Sequence, residues 1–400
     1  MRGGWADLPA YLALVYVLAC FCSITVAQVT LGLMALVFLL QDPRWIHRGL
    51  QAFPRTHGLW SLVLVGWAVV TATWALEPTR AWHHLRKLMF WVPPILLAAL
   101  VARYGTSFRK AWLYALTLGG VITSGVGWVQ YLWVGHGTLE RRVTGLLSHY
   151  MTLGGLLSVV FLILVAQVWV DRFRWGLAGA AVLTGTVLVL SLTRSAWLGT
   201  LAGLTVLASL RGWQRAVRLV LACGALAGAV FWFAPPALSY RLEHFFSPSE
   251  VSNRMRLWLW GMGLRVVWDH PWFGTGPDQM PYIYDNYRLP AMPEGEVQAH
   301  FHDNLLQMAV ERGLPGLGIW LGWYISGLQW LRVRYRQVET PLEKALAAGL
   351  LAAWVSLGVA GLFEYNFGDS EVLMLWLTLP AWVVPEGREG ETVGGSLGRP

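Results

Sequence analysis

The chain has 400 residues, of which 56% are hydrophobic and only 13% are charged, and its mean hydropathy is +0.49. A soluble domain carries about 25% charged residues, so a soluble enzyme is excluded and a polytopic, all-α membrane protein is predicted. The 30 Lys and Arg exceed the 22 Asp and Glu, which gives a formal charge of +8. Cytoplasmic loops of membrane proteins retain such cations, so this charge does not indicate nucleic-acid binding.

Apolar windows of about 20 residues predict about twelve transmembrane helices. The first is expected to be an uncleaved helix, since a second window follows at once. An even number of spans places both termini on one side of the membrane. The predicted spans are residues 8–23, 25–40, 58–76, 88–102, 111–134, 150–170, 176–192, 195–210, 219–235, 313–331, 345–363 and 371–384.

The distribution of Lys and Arg predicts the orientation of these spans. The two tails and every second loop hold 18 of the 30 cations, so the positive-inside rule makes them cytoplasmic. The other twelve lie on the predicted outer side, and eleven of those are arginine. A guanidinium suits bidentate phosphate binding, although any one arginine can instead reach lipid head groups from a helix end. The outer cations are Arg80, Arg86, Lys87, Arg141, Arg142, Arg194, Arg241, Arg254, Arg256, Arg265, Arg288 and Arg312.

One predicted outer loop, residues 235–299, is far longer than the others, and loops of this length are usually functional or disordered. Within it, the stretch from Arg254 to Trp268 repeats apolar residues at helical spacing, which predicts an amphipathic helix lying on the membrane. On such a helix Arg254 and Arg265 project at nearly the same angle, whereas Arg256 falls on another face. The apolar residues are Leu257, Trp260, Leu264 and Val267.

The chain therefore divides into four predicted parts. They are transmembrane helices 1–9 (1–234), a large outer loop (235–300), a segment with a polar histidine stretch and helices 10–12 (301–385), and a flexible cytoplasmic tail (386–400). Small residues at Gly199 and Gly203, and again at Gly224 and Gly228, predict close helix packing.

Charged residues are confined to the ends of the predicted spans. Transporters coupled to ions or protons usually need ionisable groups within the membrane, so this pattern favours chemistry at the outer surface. Glu364 and Asp369 are expected to cap the last outer turn. Most of the 25 tryptophans lie near predicted span ends, where they are expected to act as interfacial anchors.

The most polar stretch beside any span runs from His300 to Gly316. It resembles the signature of the O-antigen ligase and O-antigen polymerase superfamily. In that signature a His is followed by a neutral polar residue, then by nine residues, and then by Gly-x-x-Gly. His302 matches that histidine, and Gly313-Leu-Pro-Gly316 closes the pattern. Asp303 departs from it, with Asn304 one position later. Weaker similarities to the same superfamily lie at residues 142–145, 191–197, 253–258 and 269–276.

This resemblance implies a fold of the GT-C membrane glycosyltransferase type in the bacterial inner membrane, with the active site facing the periplasm. It implies transfer of a glycan from an undecaprenyl-pyrophosphate carrier to an acceptor sugar, with inversion and with no metal or other cofactor. Lipid A core is the acceptor for a ligase, and a second carrier-linked repeat unit is the acceptor for a polymerase. The expected partners are these glycans and membrane lipids, with no nucleic acid.

His302 is expected to act as general base, because an imidazole titrates near neutrality and can take the proton of an attacking hydroxyl. Arg194 and Arg254 are expected to stabilise the charge that develops on the leaving pyrophosphate. Seven further residues are expected to contact substrate: Arg256, Arg265, His300, Asp303, Asn304, Arg142 and Arg86.

Several alternatives remain open from the residues alone. His300, His302 and Asp303 are a possible metal-ligand set, although no Asp-x-Asp pair occurs in the chain. His302 can also be a helix-capping or interfacial histidine. A ligase is favoured over a polymerase because the single large loop lies late in the chain. A small-solute transporter, such as an inorganic-carbon carrier, and an assembly protein without catalysis are the remaining alternatives.

Overall fold

The computed structural model describes residues 4–41, 44–170, 174–210, 236–292 and 297–386, together with residues 212, 214, 217 and 221. This part of the chain is helical and contains no β-strand. Short 3-10 helices lie at Trp5–Asp7, Leu85–Trp91 and Leu379–Val383. The α-helices are α1 Leu8–Ala19, α2 Ile24–Gln41, α3 Arg44–Ala52, α4 Arg55–Thr73, α5 Pro78–His84, α6 Pro93–Trp133, α7 Tyr150–Val170, α8 Trp175–Leu190, α9 Arg194–Ser209, α10 Pro236–Glu243, α11 Val251–Asp269, α12 Met280–Tyr287, α13 Asn304–Gln337, α14 Pro341–Ala360 and α15 Ser370–Thr378.

The apolar helices make this a multi-pass membrane protein. Five described segments are long and apolar enough to cross a membrane: Ile24–Gln41, Arg55–Thr73, Pro78–Trp133, Tyr150–Trp169 and Pro341–Ala360. Helices also lie over the other predicted spans, except 219–235, of which the structure describes Leu221 alone; Gly224 and Gly228 lie outside the described residues. The number of spans stays a prediction, as does the GT-C type of architecture.

Two long helices are interrupted at glycines. Gly105, with φ of 53°, breaks α6 between the two spans predicted there. Just beyond the break the buried Arg109 is 2.6 Å from a carboxylate oxygen of Glu343 and 2.7 Å from one of Glu386. These ion pairs connect α6 to the start of α14 and to the end of the described chain.

Gly313, with φ of 68°, interrupts α13 in the same way. A Cβ at this position would collide with the backbone of Trp272. Leu314 N donates to Pro271 O at 2.8 Å, and Thr275 N donates to Val310 O at 2.8 Å. The Gly-x-x-Gly segment is therefore the place where the backbone of the long loop packs against α13.

The centre of the bundle is formed by α14, which packs against α7 and α9. A Cβ at Gly199 would collide with the carbonyl of Ser356, and one at Gly203 would meet that of Ala352. The predicted role of these two glycines in close helix packing is confirmed. Several tryptophans expected at the membrane interface lie instead in the core, where they fill the space between helices: Trp112, Trp320, Trp323, Trp354, Trp376 and Trp382.

The amphipathic helix predicted in the long loop is α11, and it ends at Asp269, just before Pro271. Its buried face carries Leu259, Met262 and Val266, which pack towards α13. Of the apolar residues expected to form its apolar face, Leu257 and Leu264 are exposed. A lipid surface is a suitable environment for these exposed leucines.

Candidate functional site

His302 lies in the short connection that leads into α13. The Asp303 side chain accepts a hydrogen bond from Leu306 N at 2.7 Å, so Asp303 is the N-cap of this helix. His302 therefore stands just before the cap, in the left-handed region with φ of 53°. That conformation is costly for a residue with a side chain, and it brings the ring of His302 within 4.3 Å of the ring of His300, measured between centroids.

The closest acidic partner of His302 is Glu364, in the turn between α14 and α15. His302 Nδ1 is 3.2 Å from Glu364 Oε2, and His300 Nε2 is 3.9 Å from Oε1. Burial alone would raise the pKa of Glu364, but the hydrogen bond with His302 and the neighbouring positive charge lower it. An ionised Glu364 accepts a hydrogen bond from the Nδ1–H group of His302, which leaves the lone pair of the neutral imidazole on Nε2.

The sequence did not identify Glu364 as a functional residue. It was expected to cap the last outer turn together with Asp369. Asp369 is such a cap, since its Oδ1 accepts a hydrogen bond from Val372 N at 3.1 Å. The Glu364 side chain instead contacts His300 and His302. Nothing in the sequence around an acidic residue at the end of a span indicates such a contact.

Asn304, expected to contact substrate, holds the turn that carries Glu364. It is fully buried, and its backbone N donates to Gly361 O at 2.7 Å. Its side chain donates to Asn366 Oδ1 at 2.7 Å and accepts from Phe367 N at 3.2 Å. These bonds fix residues 361–367 against the start of α13, so Asn304 positions Glu364 beside His302.

Arg256 is the arginine of α11 that reaches this cluster. Its Nε donates to Phe363 O at 3.0 Å, and its Nη2 is 4.0 Å from Glu364 Oε2. Burial lowers its pKa. By contrast, Arg254 is exposed and its guanidinium lies over the Trp258 ring. The helical spacing correctly placed these two arginines on different faces of α11.

Arg194 anchors the beginning of α11. Its Nη1 donates to the carbonyls of His244 and Phe245, and its Nη2 donates to Glu250, Ser252 and Asn253, at distances of 2.7 to 3.0 Å. These five hydrogen bonds occupy both terminal nitrogens. Arg194 is therefore held by the protein at the point where the long loop turns into α11.

Glu250 connects Arg194 to a second buried arginine. Its Oε1 is 3.1 Å from Arg241 Nη1, and it also caps α11 by accepting from Asn253 N. Burial would raise the pKa of Glu250, but the hydrogen bond from Ser252 and the charge of Arg194 lower it to about 2. Burial, Arg142 and Arg194 together lower the pKa of Arg241 to about 10.

The remaining predicted arginines are more scattered. Arg142 lies over the Tyr150 ring, with its guanidinium carbon 4.1 Å from the centroid, and its charge acts on Arg241. Arg265 is exposed on α11. Arg86 is also exposed and lies 3.1 Å from His83. The structure thus gathers Arg256, His300 and His302 into one cluster, whereas Arg142 lies with Arg194, Arg241 and Glu250.

Within the described chain, one group of side chains has the geometry to hold a metal ion: His300, His302 and Glu364, whose ligand atoms lie within 4.8 Å of one another. The ligand set predicted from sequence used Asp303, which caps α13 instead. The guanidinium of Arg256 beside Glu364 opposes a cation at this place. The residues therefore suit a hydrogen-bonded pair better than a metal centre.

Burial of His300 predicts a pH-dependent stability. Burial, with a smaller contribution from His302, lowers its pKa to about 4. The unfolded chain takes up this proton near pH 6.5, so between pH 6.5 and 4 the unfolded state binds more protons and the folded state loses stability as the pH falls.

We expect His300→Gln to reduce the fall in unfolding temperature between pH 7 and pH 4.5, measured by thermal unfolding in detergent. His47→Gln, at an exposed histidine of α3, is the control, and an equal fall in all three proteins would contradict the prediction.

Comparison with known proteins agrees with the resemblance seen in the sequence. Residues 179–321 match the family model described as O-antigen ligase. This range includes Arg194, all of α11, His302 and the Gly-x-x-Gly segment, and it ends before Glu364. The chain is also 24% identical over 352 residues to the O-antigen ligase of Pseudomonas aeruginosa, an alignment that covers 84% of this chain and 78% of that protein. Over most of its length the chain is therefore similar to O-antigen ligases.

Proposed function

We propose that the protein is an O-antigen ligase that transfers a glycan from an undecaprenyl-pyrophosphate carrier to a sugar hydroxyl of lipid A core. The reaction takes place at the periplasmic face of the inner membrane, without a metal. The observation that carries this proposal is the pair of His302 and Glu364, 3.2 Å apart and mostly buried, with the guanidinium of Arg256 beside it.

His302 Nε2 takes the proton of the acceptor hydroxyl as its oxygen forms a bond to the anomeric carbon of the donor. The bond from that carbon to the pyrophosphate oxygen breaks at the same time, and its electron pair leaves with the pyrophosphate. Glu364 stabilises the imidazolium that forms, as the carboxylate does in other histidine-based sites. A single displacement of this kind inverts the anomeric centre.

Arg256 is the guanidinium closest to the proposed reacting centre, and we assign it the role first expected for Arg254. A positive charge fixed in advance stabilises the negative charge that develops on the leaving pyrophosphate. Arg142 and Arg194 add to the positive electrostatic potential at the leaving pyrophosphate, while the Arg194 side chain itself stays hydrogen-bonded to residues of the long loop. The transition state gains more from these charges than the ground state does.

The proposal is tested with purified protein, an undecaprenyl-pyrophosphate oligosaccharide as donor, and either lipid A core or a second donor molecule as acceptor. We expect glycan transfer to lipid A core at the same rate with and without EDTA. Extension of the donor alone would show a polymerase, and a rate abolished by EDTA and restored by a metal would show that the histidine pair coordinates an ion. Absence of transfer to both acceptors would favour a transporter.

A further inference from the structure

An open groove lies on the exposed face of α11, beside α12. It has a volume of about 830 Å³ and is lined by Leu264, Arg265, Trp268, Asp269, Asn286 and Tyr287. Arg265 follows Arg256 by nine residues, a spacing that places two side chains on opposite faces of a helix, about 14 Å apart along its axis. The groove is therefore separate from the cluster around His302.

The lining of the groove combines an open aromatic plane with a fixed carboxylate. Trp268 is 86% exposed, so its indole is accessible to a ligand. The Tyr287 hydroxyl donates to Asp269 Oδ2 at 2.9 Å. This hydrogen bond joins α12 to the end of α11 and holds the carboxylate in place at the groove. A group that is held in advance loses less conformational freedom when a ligand binds.

The groove also carries two opposite charges that do not pair. Arg265 and Asp269 are one helical turn apart, a spacing at which opposite charges attract, yet no ion pair joins them. In the described part of the chain the Arg265 guanidinium has no hydrogen-bond acceptor, whereas Asp269 is held by Tyr287. Asn286, exposed on α12, adds an amide group. Hydrogen-bond donors and acceptors are therefore both available to a ligand.

These groups favour one chemical class of ligand. A sugar ring has an apolar C–H face that packs on an exposed indole. Its hydroxyls both donate and accept, which suits a guanidinium, an amide and a carboxylate placed around that ring. Asp269 would repel a phosphate and Arg265 would repel an ammonium group. The lining therefore suits an uncharged saccharide better than an anionic lipid head group.

We propose that this groove binds a sugar unit of the glycan chain that is transferred, several units away from the anomeric carbon that reacts. This inference rests on the proposed function, because it concerns the glycan of that reaction. The proposed function places the pyrophosphate end of the donor at Arg256, on the opposite face of α11, so only a chain of several units reaches the groove. Holding such a unit keeps the donor near the reacting centre at a high effective concentration.

The test measures binding to purified protein of oligosaccharides of two repeat units, released from the surface polysaccharide of the organism that makes this protein and labelled with tritium. The probe contains neither lipid nor pyrophosphate, so its binding does not depend on transfer. We expect Trp268→Ala to raise the Kd in equilibrium dialysis about 10-fold. Trp272→Ala, at a second exposed tryptophan of the long loop that does not line the groove, is the matched control and should leave the Kd unchanged.

The dependence of transfer on the length of the donor glycan gives an independent readout. With donors of many repeat units, Trp268→Ala is expected to raise KM about 5- to 10-fold without changing kcat, because the groove binds the ground state and the transition state equally. With a donor of a single repeat unit, which does not reach the groove, neither constant should change. An equal rise in KM for long and short donors would contradict the proposed position of the groove along the chain.

Three further results would overturn the assignment while glycan transfer stays intact. The first is an equal Kd for wild type and Trp268→Ala, or no binding to wild type up to about 10 mM. The second is displacement of the probe by lipid-free core oligosaccharide at the same concentration, which would identify a site for the acceptor. The third is displacement by phosphatidylethanolamine in the detergent micelle, which would identify a head-group site. Binding that depends on Trp268 in protein that transfers no glycan would instead contradict the proposed function and leave the groove assignment in place.

Discussion

Replacing His302 with alanine is expected to lower the rate of glycan transfer by about 10²- to 10⁴-fold, the range typical of removing a general base. The acceptor hydroxyl is a poor nucleophile until its proton begins to leave, and His302 Nε2 is the atom assigned to receive that proton. Rates are measured with saturating donor and acceptor, so that kcat and KM are separated. The unfolding temperature should stay close to that of wild type, since His302 is partly exposed and contributes no core packing.

Glu364→Gln provides a second variant for the same dyad. Glutamine keeps the shape of the side chain but removes the charge that stabilises the imidazolium and can select the wrong tautomer of His302, so we expect a loss of about 10²- to 10⁴-fold. Because Glu364 acts through His302, the double variant should be no slower than His302→Ala alone. His47→Ala, at an exposed histidine of α3, is the control. Independent, multiplicative losses in the double variant would show that Glu364 acts on the substrate directly.

The part of this site that depends on local spacing could be predicted from sequence. The signature around His302 identified the histidine, and the helical period separated Arg254 from Arg256. The helical period does not show which of these two faces of α11 is buried, because burial depends on contacts with α13 and with the turn near Phe363. His302 and Glu364 are 62 residues apart in the chain, so their contact is a property of how α13, α14 and α15 pack.

The glycines of the signature also gain a physical explanation. Gly313 adopts a positive φ, and a side chain there would collide with the backbone of Trp272. Gly274, also at positive φ, would collide with Val310 and Glu311 in the same way. These two close approaches join the long loop to α13 on the C-terminal side of His302. Glycine is needed at these positions because the two backbones pack closely. The spacing of the glycines in the sequence does not distinguish this role from that of a flexible loop that contacts substrate.

Arg194→Ala is expected to destabilise the fold strongly as well as abolish transfer. The substitution removes five hydrogen bonds and one of the two arginines that neutralise the buried Glu250. Breaking a buried ion pair on one side costs about 3–5 kcal/mol, so we expect the unfolding temperature to fall by roughly 5 °C or more. Arg194→Lys should lie between alanine and wild type, because it keeps the charge but not the planar guanidinium.

Arg256→Ala is the matched comparison that separates anchoring from chemistry. Among the described residues Arg256 makes one hydrogen bond, to a backbone carbonyl, and is 4.0 Å from its carboxylate partner. Its loss should therefore cost only about 1–2 kcal/mol of stability, yet lower transfer about 10²-fold by removing the charge closest to the leaving pyrophosphate. If Arg194→Ala instead lost transfer with an unchanged unfolding temperature, Arg194 would have to release its loop partners and bind the substrate. The long loop would then have to rearrange around α11 in each catalytic cycle, since those hydrogen bonds hold the start of that helix.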